Sequence, residues 1–513
     1  MDRALTRRRL MRAGALGAGA ALLAGRPAAI RAQDTPRKGG TLRIGRSGDF
    51  LHFDPFFAIT VNLPMYRQLY NTLVTYDAQL NVQPQLAERW EFSEDRLTLT
   101  FTLRQGVTFH NGRAFTADDV VQNIERAQDE TLSHSVLGYT RPIEAVTAVD
   151  PQTVEFTFSE PANAIFDLLT VLGIVAPEAF AAPAITEPIG TGPFAFVEWN
   201  PGQEARFQRY DGYWQDGLPY LDEVVVRAMP DQQAAVANLE AGELDVIQGV
   251  PLNDVPRLRE TDGLEIVLGT EASQFYTFYN NTARPPFDNK LVRQAMSHAI
   301  DRQTIVDTVL FGVGKATQTP FPEWSLAYNA EHLDWFPFDL DRAKELLTEA
   351  GHPDGFETTV VTISDFPELR GMAQIIQADL AKIGVTLEIN DVSSADWGQL
   401  WPAKEYDTLI ASAGFSHKDP STLFNSMSGF RLDDNRTNFS PPTYRELVTA
   451  AAGITDEAER QATYHELAEF MLDEAFALVI SFRYNVFGVR DTVENFRVHL
   501  DDDLDLTEAW LAE

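Results

Sequence analysis

The stretch from 358 to 389 constrains the fold more than any other part of the chain. A β-branched run at 358–363 leads into a helical pattern at 369–383, a glycine stop at Gly384 and a short strand at 385–389. Strand, helix and strand in that order predict a parallel pair joined by a right-handed crossover, with helices covering the sheet. A run at 407–413 predicts a further strand. The same rhythm stands upstream: a buried strand at 224–229, a helix at 232–241, a stop at Gly242 and a strand at 244–248. Glycine just past a helix end takes the left-handed conformation at little steric cost.

The segment around 76–188 has another texture. Leu97, Leu99, Phe101 and Leu103 alternate with Thr98, Thr100 and Thr102, the period of a half-buried strand, and 153–158 alternates again. Between these runs, Thr116 and Asp119 form a capping-box pattern for a helix to about Ala127. Two α/β regions with a strand-rich insertion are therefore expected. The aromatic runs 274–280 and 477–484 are the expected crossovers between the regions, the first followed by a loop with Pro285 and Pro286. Two lobes joined by two strands permit hinge closure.

Arg7 and Arg8, the weakly apolar stretch 13–24 and a cleavage point after Ala32 predict a twin-arginine export signal over 1–32. Its apolar core is shorter than the roughly 20 residues a bilayer span needs, although an uncleaved anchor is the alternative. The chain has no cysteine. That excludes disulfides, thiol nucleophiles, thiolate metal sites and a lipid-modified N-terminal cysteine, so a soluble, untethered exported protein is expected. Its stability must come from its core, with two or three domains at about 150 residues each. Lysine and arginine number 41 against 75 acids, a net charge of −34. Such a surface argues against nucleic acid and against anionic lipid.

Searches for catalytic and metal motifs fail on spacing. Gly414, Phe415 and Ser416 do not make a nucleophile elbow. His465 has Glu469 where a zinc helix needs its second histidine, and an ordinary amphipathic face is expected there. Gly312 to Lys315 is followed by Ala316 and lacks the hydroxyl of a phosphate loop. Asp501, Asp502, Asp503 and Asp505 lack the glycine turn and closing glutamate of a calcium loop. No cofactor, no metal and no catalysis are expected. A secreted hydrolase remains the alternative, because paired carboxylates are a three-dimensional feature.

A site between lobes draws on loops at the carboxyl ends of strands. Phe415, Ser416, His417 and Asp419 follow the strand 407–413 and are the first candidates. His417 is a ligand donor, a metal ligand or an exposed loop residue. Asp419, before Pro420, is a binding group or a helix cap. Trp397 and Trp401, four apart on one helix face, form an aromatic wall or pack in the core. Tyr276 and Phe278 lie on one side of the first crossover strand. Arg483 and Tyr484 lie on the returning one, Arg483 as the cation for a ligand carboxylate or a surface ion pair. Asp49 and Phe50, just after the first strand, complete the set.

Several segments, in order, resemble the extracytoplasmic solute-binding proteins of family 5, the peptide/nickel-type receptors of ABC importers. They are LAERWEF (86–92), LTLTFTLR (97–104), VTFHNG (107–112), FTADDV (115–120), GTGPF (190–194), YDGYW (210–214), GELD (242–245), PFD (286–288), VRQAM (292–296), AIDR (299–302) and the Asp419-Pro420 pair. The resemblance implies an α/β, two-lobed periplasmic-binding-protein type II fold with an additional subdomain inserted in lobe 1 and a two-strand hinge. Lobe 1 is expected over 33–75, 189–275 and 481–513, the insertion over 76–188 and lobe 2 over 276–480. It implies a periplasmic monomer that captures an oligopeptide, a peptide-like compound or another small solute for a permease and ATPase. A receptor that reports to a sensor is a further alternative. Dipeptide-binding members hold the peptide amine with an aspartate in the loop before the Asp-Pro and its carboxylate with an arginine before the long helix. Here Ser416, His417 and Lys418 occupy that loop and 362–368 holds no arginine. The dipeptide mode is not expected.

Overall fold

The structure, a computed structural model, describes residues 35–57, 65–77, 80–132, 134–270, 274–414, 419–499 and 503–512. The expected export segment 1–32 lies outside them. Three sheets organise residues 37–513. The largest has seven strands in the order Leu264–Leu268, Val486–Arg490, Val246–Gln248, Thr41–Arg46, Glu223–Ala228, Glu204–Arg209 and Phe194–Asn200. Helix Gln232–Ala241 makes the crossover, capped by Asp231 and closed by Gly242 at φ 79°. The expected strand-helix-strand unit is present, but Thr41–Arg46 lies between its two strands, parallel to both. The local pattern dictates the crossover; it does not say which distant strand fills the gap.

The second sheet has six strands in the order Lys315–Ala316, Ala477–Arg483, Gln274–Asn280, Thr408–Gly414, Glu357–Ile363 and Thr386–Val392. Glu357–Ile363 and Thr386–Val392 pair in parallel, joined by helix Pro367–Ala381. That helix buries Leu369, Met372, Ala373, Ile376 and Leu380, the i, i+3, i+4, i+7 face of a core-facing helix. The third sheet is antiparallel and runs Ala87–Phe92, Thr98–Leu103, Thr153–Phe158, Ile143–Asp150. Leu99, Phe101 and Leu103 face its core and the threonines its half-exposed side. Helix Ala117–Ala127 carries both bonds of the Thr116–Asp119 capping box. Among the described residues no helix is long and apolar enough to cross a membrane.

Strands Gln274–Asn280 and Ala477–Arg483 lie wholly within the second sheet, paired with each other. The chain leaves the first sheet at Leu268, enters the second at Gln274 and returns from Arg483 to Val486, and the Gly269 N–H donates to Asn485 O at 2.8 Å. Aromatic alternation marks a buried strand without saying where it enters its sheet, so the passages fall at the ends of the expected segments.

Two of the motif segments pack directly together. The Gly190 N–H donates to His110 Nδ1 at 3.3 Å, and His110 Nε2 bonds Gly192 O at 3.0 Å. Burial pushes the His110 imidazole down to about 4. The folded state therefore holds it neutral while the unfolded chain protonates near 6.5. Its contribution is complete above pH 6.5 and is lost as pH falls towards 4, at up to about 1.4 kcal/mol per pH unit. The ring keeps an edge at the surface, so solvent offsets part of this. Burial shifts His52, His134 and His332 the same way. Urea unfolding at pH 7 and pH 5 should show a smaller loss for His110→Gln than for the wild type. Equal losses would remove His110 from the pH response.

Candidate functional site

Strand register brings two sheet edges to the same place. In the first sheet Arg46 pairs with Gln248 and Leu268 with Val486, so the carboxyl ends of Thr41–Arg46, Glu223–Ala228 and Val246–Gln248 lie beside both connecting segments. In the second sheet Gln274 pairs with Gly414 and with Arg483, and Ile363 with Val392. The carboxyl ends of its three parallel strands therefore flank the same two connections. Ligands of open α/β sheets sit at such ends.

Each sequence candidate has a definite place, except Phe415, Ser416 and His417, which lie outside the described residues. In sequence they directly follow Gly414. Asp419 is buried, and its carboxylate is engaged by the protein itself. Oδ1 accepts from the Ser421 N–H at 3.0 Å and the Tyr464 hydroxyl at 3.2 Å, and Oδ2 stands 3.3 Å from Arg460. The bond to the Ser421 N–H reaches the first residue of helix Ser421–Ser426, whose N-cap is Pro420. Trp397 and Trp401 stack at 6.2 Å and 13°. Trp401 is core: it is buried against Tyr279 and Tyr406, and its Nε1 donates to Ser428 Oγ at 3.0 Å. Trp397 is half-buried, and its Nε1 has no hydrogen-bond partner among the described residues.

Tyr276 lies two residues from the edge. Its hydroxyl donates to Glu368 Oε1 at 3.2 Å, and the Arg483 guanidinium stands 5.9 Å from its ring centre. Burial pushes the phenol up, which keeps it a donor at physiological pH. Arg483 also donates to the Gln274 side-chain oxygen. Phe278, on the same side of the strand but deeper, is wholly buried in a cluster with Val292 and Met296. Tyr484, half-buried on the second connection, packs against a smaller cluster containing Val250 and Val486. Asp49 ties down its own loop, accepting from Trp199 Nε1 at 3.1 Å and the Gly202 N–H at 2.5 Å. Phe50 is buried against Phe53 and Phe207.

Sequence reasoning passed over Arg46, which ends the first strand only 5% exposed, with its guanidinium 4.8 Å from the Phe50 ring centre. Burial pushes it down to about 10, countered by Asp49 and Tyr66, so it remains a cation at neutral pH. A basic residue closing a buried strand was the available signal. Phe366, 37% exposed just past Glu357–Ile363, and Glu368 in the first turn of the following helix were also missed. The edges thus carry two arginines, an amide and aromatic faces, groups suited to reversible binding, while the Tyr276 hydroxyl is buried and bonded to Glu368. Among the described residues no cluster of His, Asp and Glu side chains is placed to hold a metal ion.

Comparison with known proteins places the chain in a family. The family described as "Bacterial extracellular solute-binding proteins, family 5 Middle" matches residues 81–431. Heme-binding protein A of Haemophilus influenzae is 31% identical over 446 residues, 80% of each chain. Glutathione-binding protein GsiB of Salmonella typhimurium is 31% identical over 450 residues, 84% of this chain and 87% of its own. The structure of the ABC transporter-associated periplasmic binding protein DppA from Helicobacter pylori, in complex with a peptide, superposes with a TM-score of 0.77. It is 27% identical and covers 93% of this chain and 99% of its own. The chain belongs to the bacterial extracellular solute-binding proteins of family 5, a family of receptors and not of enzymes.

Proposed function

We propose that this protein is the exported receptor of an ABC importer, capturing a peptide-like solute between two closing lobes and delivering it to a permease and its ATPase. The observation that carries the reading is the meeting of two carboxyl edges beside two short connections, in a chain of this family. With the boundaries moved to the ends of the two paired strands, the lobes are 33–75 with 189–273 and 484–513, and 274–483, and the subdomain 76–188 is inserted in the first. Export through the twin-arginine segment 1–32 delivers an untethered monomer to the periplasm. In the site, Phe415, Ser416 and His417 supply the loop, while Arg483, held by Gln274, and Arg46 supply cations for a ligand carboxylate.

A thermal-shift screen of glutathione, short peptides, opines, heme and metal chelates tests this. A ligand at a hundredfold excess over its Kd adds about 2.7 kcal/mol of stability. Mass spectrometry of the bound compound should show it unchanged; accumulating products would move the reading to a hydrolase. For a compound found this way, Phe415→Ala and His417→Ala should each weaken binding at least about fivefold. Unchanged affinity in both would take that loop out of the site.

A further inference from the structure

We infer that Asp167 is a positioning residue that latches the inserted subdomain onto the second lobe. The inference rests on the receptor reading above, since a latch has meaning only if the lobes part.

Asp167 lies in the short helix Ile165–Leu169 of the insertion and is 1% exposed. Its Oδ1 accepts from the Tyr76 hydroxyl, also of the insertion, at 2.7 Å. Its Oδ2 accepts from the backbone N–H of Asp419 at 3.0 Å and from Thr422 Oγ1 at 3.4 Å, both in the second lobe. One carboxylate therefore joins the two parts. Asn163, four residues earlier, adds a second link, donating to Ala452 O at 2.9 Å and Ile454 O at 3.0 Å.

Asp419 is held through its side chain by its own lobe but through its backbone by Asp167. Parting the lobes removes only the second restraint. Water then takes over the hydrogen bonds of both partners, so the net cost of opening is far below the gross strength of the bonds. Such a contact biases an equilibrium between open and closed states without locking it. A ligand that prefers the closed state gains from whatever favours that state.

Because the chain has no cysteine, Val149→Cys and Glu466→Cys provide the only two thiols for spin labels. Both positions are exposed, one on the insertion and one on helix Glu457–Glu474. Electron–electron resonance on this labelled protein without ligand should show a short and a long distance. Asp167→Asn keeps the size of the side chain but has one acceptor oxygen in place of two. It should lower the ratio of short to long at least about tenfold, with the melting temperature nearly unchanged. Thr422→Val, which removes one bond, should move the ratio the same way by less, and it serves if Asp167→Asn fails to fold. Two distances whose ratio neither variant changes would overturn the latch and leave the hinge standing. A single short distance in every protein, with a lowered melting temperature in Asp167→Asn, would make the contact a fixed structural one and remove lobe opening as well. A wild type seen only at the long distance would also overturn it.

Discussion

Gly190→Ala is expected to cost at least about 4 kcal/mol, enough to lower the melting temperature of a chain of this size by roughly 4 °C. A Cβ at this position would stand 2.0 Å from the backbone oxygen of Leu69 and 2.5 Å from Cδ1 of Tyr70. Overpacking usually costs about 1–3 kcal/mol because a side chain swings aside. Here the nearest obstacle is backbone, and that backbone is pinned. Leu69 and Tyr70 are buried, the Tyr70 hydroxyl donates to Phe53 O at 2.7 Å, and Leu69 O accepts from the Gly192 N–H at 3.0 Å. Gly190 O in turn accepts from the His110 N–H at 2.9 Å, which binds the insertion to the same crossing. Gly138→Ala is the control, since its Cβ would meet nothing within 4 Å. It should change stability by no more than about 0.5 kcal/mol. Calorimetry of both variants decides the matter: similar melting temperatures would mean that the chain does not cross itself at Gly190.

Asp54→Ala is expected to destabilise by about 3–5 kcal/mol, the usual result of removing one partner from a buried ion pair. Asp54 is fully buried, and its Oδ2 accepts from Arg126 Nη2 at 2.9 Å and the Ile185 N–H at 3.2 Å. Oδ1 accepts from the Phe56 N–H at 3.1 Å. The Arg126 side chain is 9% exposed, wedged over the rings of Phe56 and Phe180. Alanine at 54 would leave that guanidinium buried without its anion, and two N–H groups without acceptors. Because the damage is the stranded charge, Asp54→Ala with Arg126→Met should recover much of the loss. Urea unfolding of the single and double variants measures this. A double variant weaker than the single one by the full cost of Arg126→Met alone would show that the two side chains act independently.

Much of the architecture was legible because it is dictated by near neighbours. Gly242 closing one helix, and Thr116 with Asp119 opening another, act within a few residues of backbone, and the structure carries each of them. The alternation of Leu99, Phe101 and Leu103 is likewise a property of one strand. The candidate site was read from the sequence as a location, the loops after parallel strands, since strand direction follows from the crossover. Side-chain type, however, does not separate a wall from a core. Trp401 and Phe278 have the chemistry of ligand-facing aromatics and lie in the interior, while Arg46 was passed over beside Asp49 and Phe50.

The chain's own letters determined the secondary elements, the crossover at 358–389 and, through motifs in a set order, the receptor family. Only the tertiary structure decided that Thr41–Arg46 enters the gap between Glu223–Ala228 and Val246–Gln248. It also decided that the Asp419 N–H meets a carboxylate 252 residues earlier. The physical reason is the range of the forces involved. Capping, periodicity and glycine conformation are settled within a turn or a strand. The partner of a buried charge or backbone N–H is whatever the folded chain brings within about 3 Å of it.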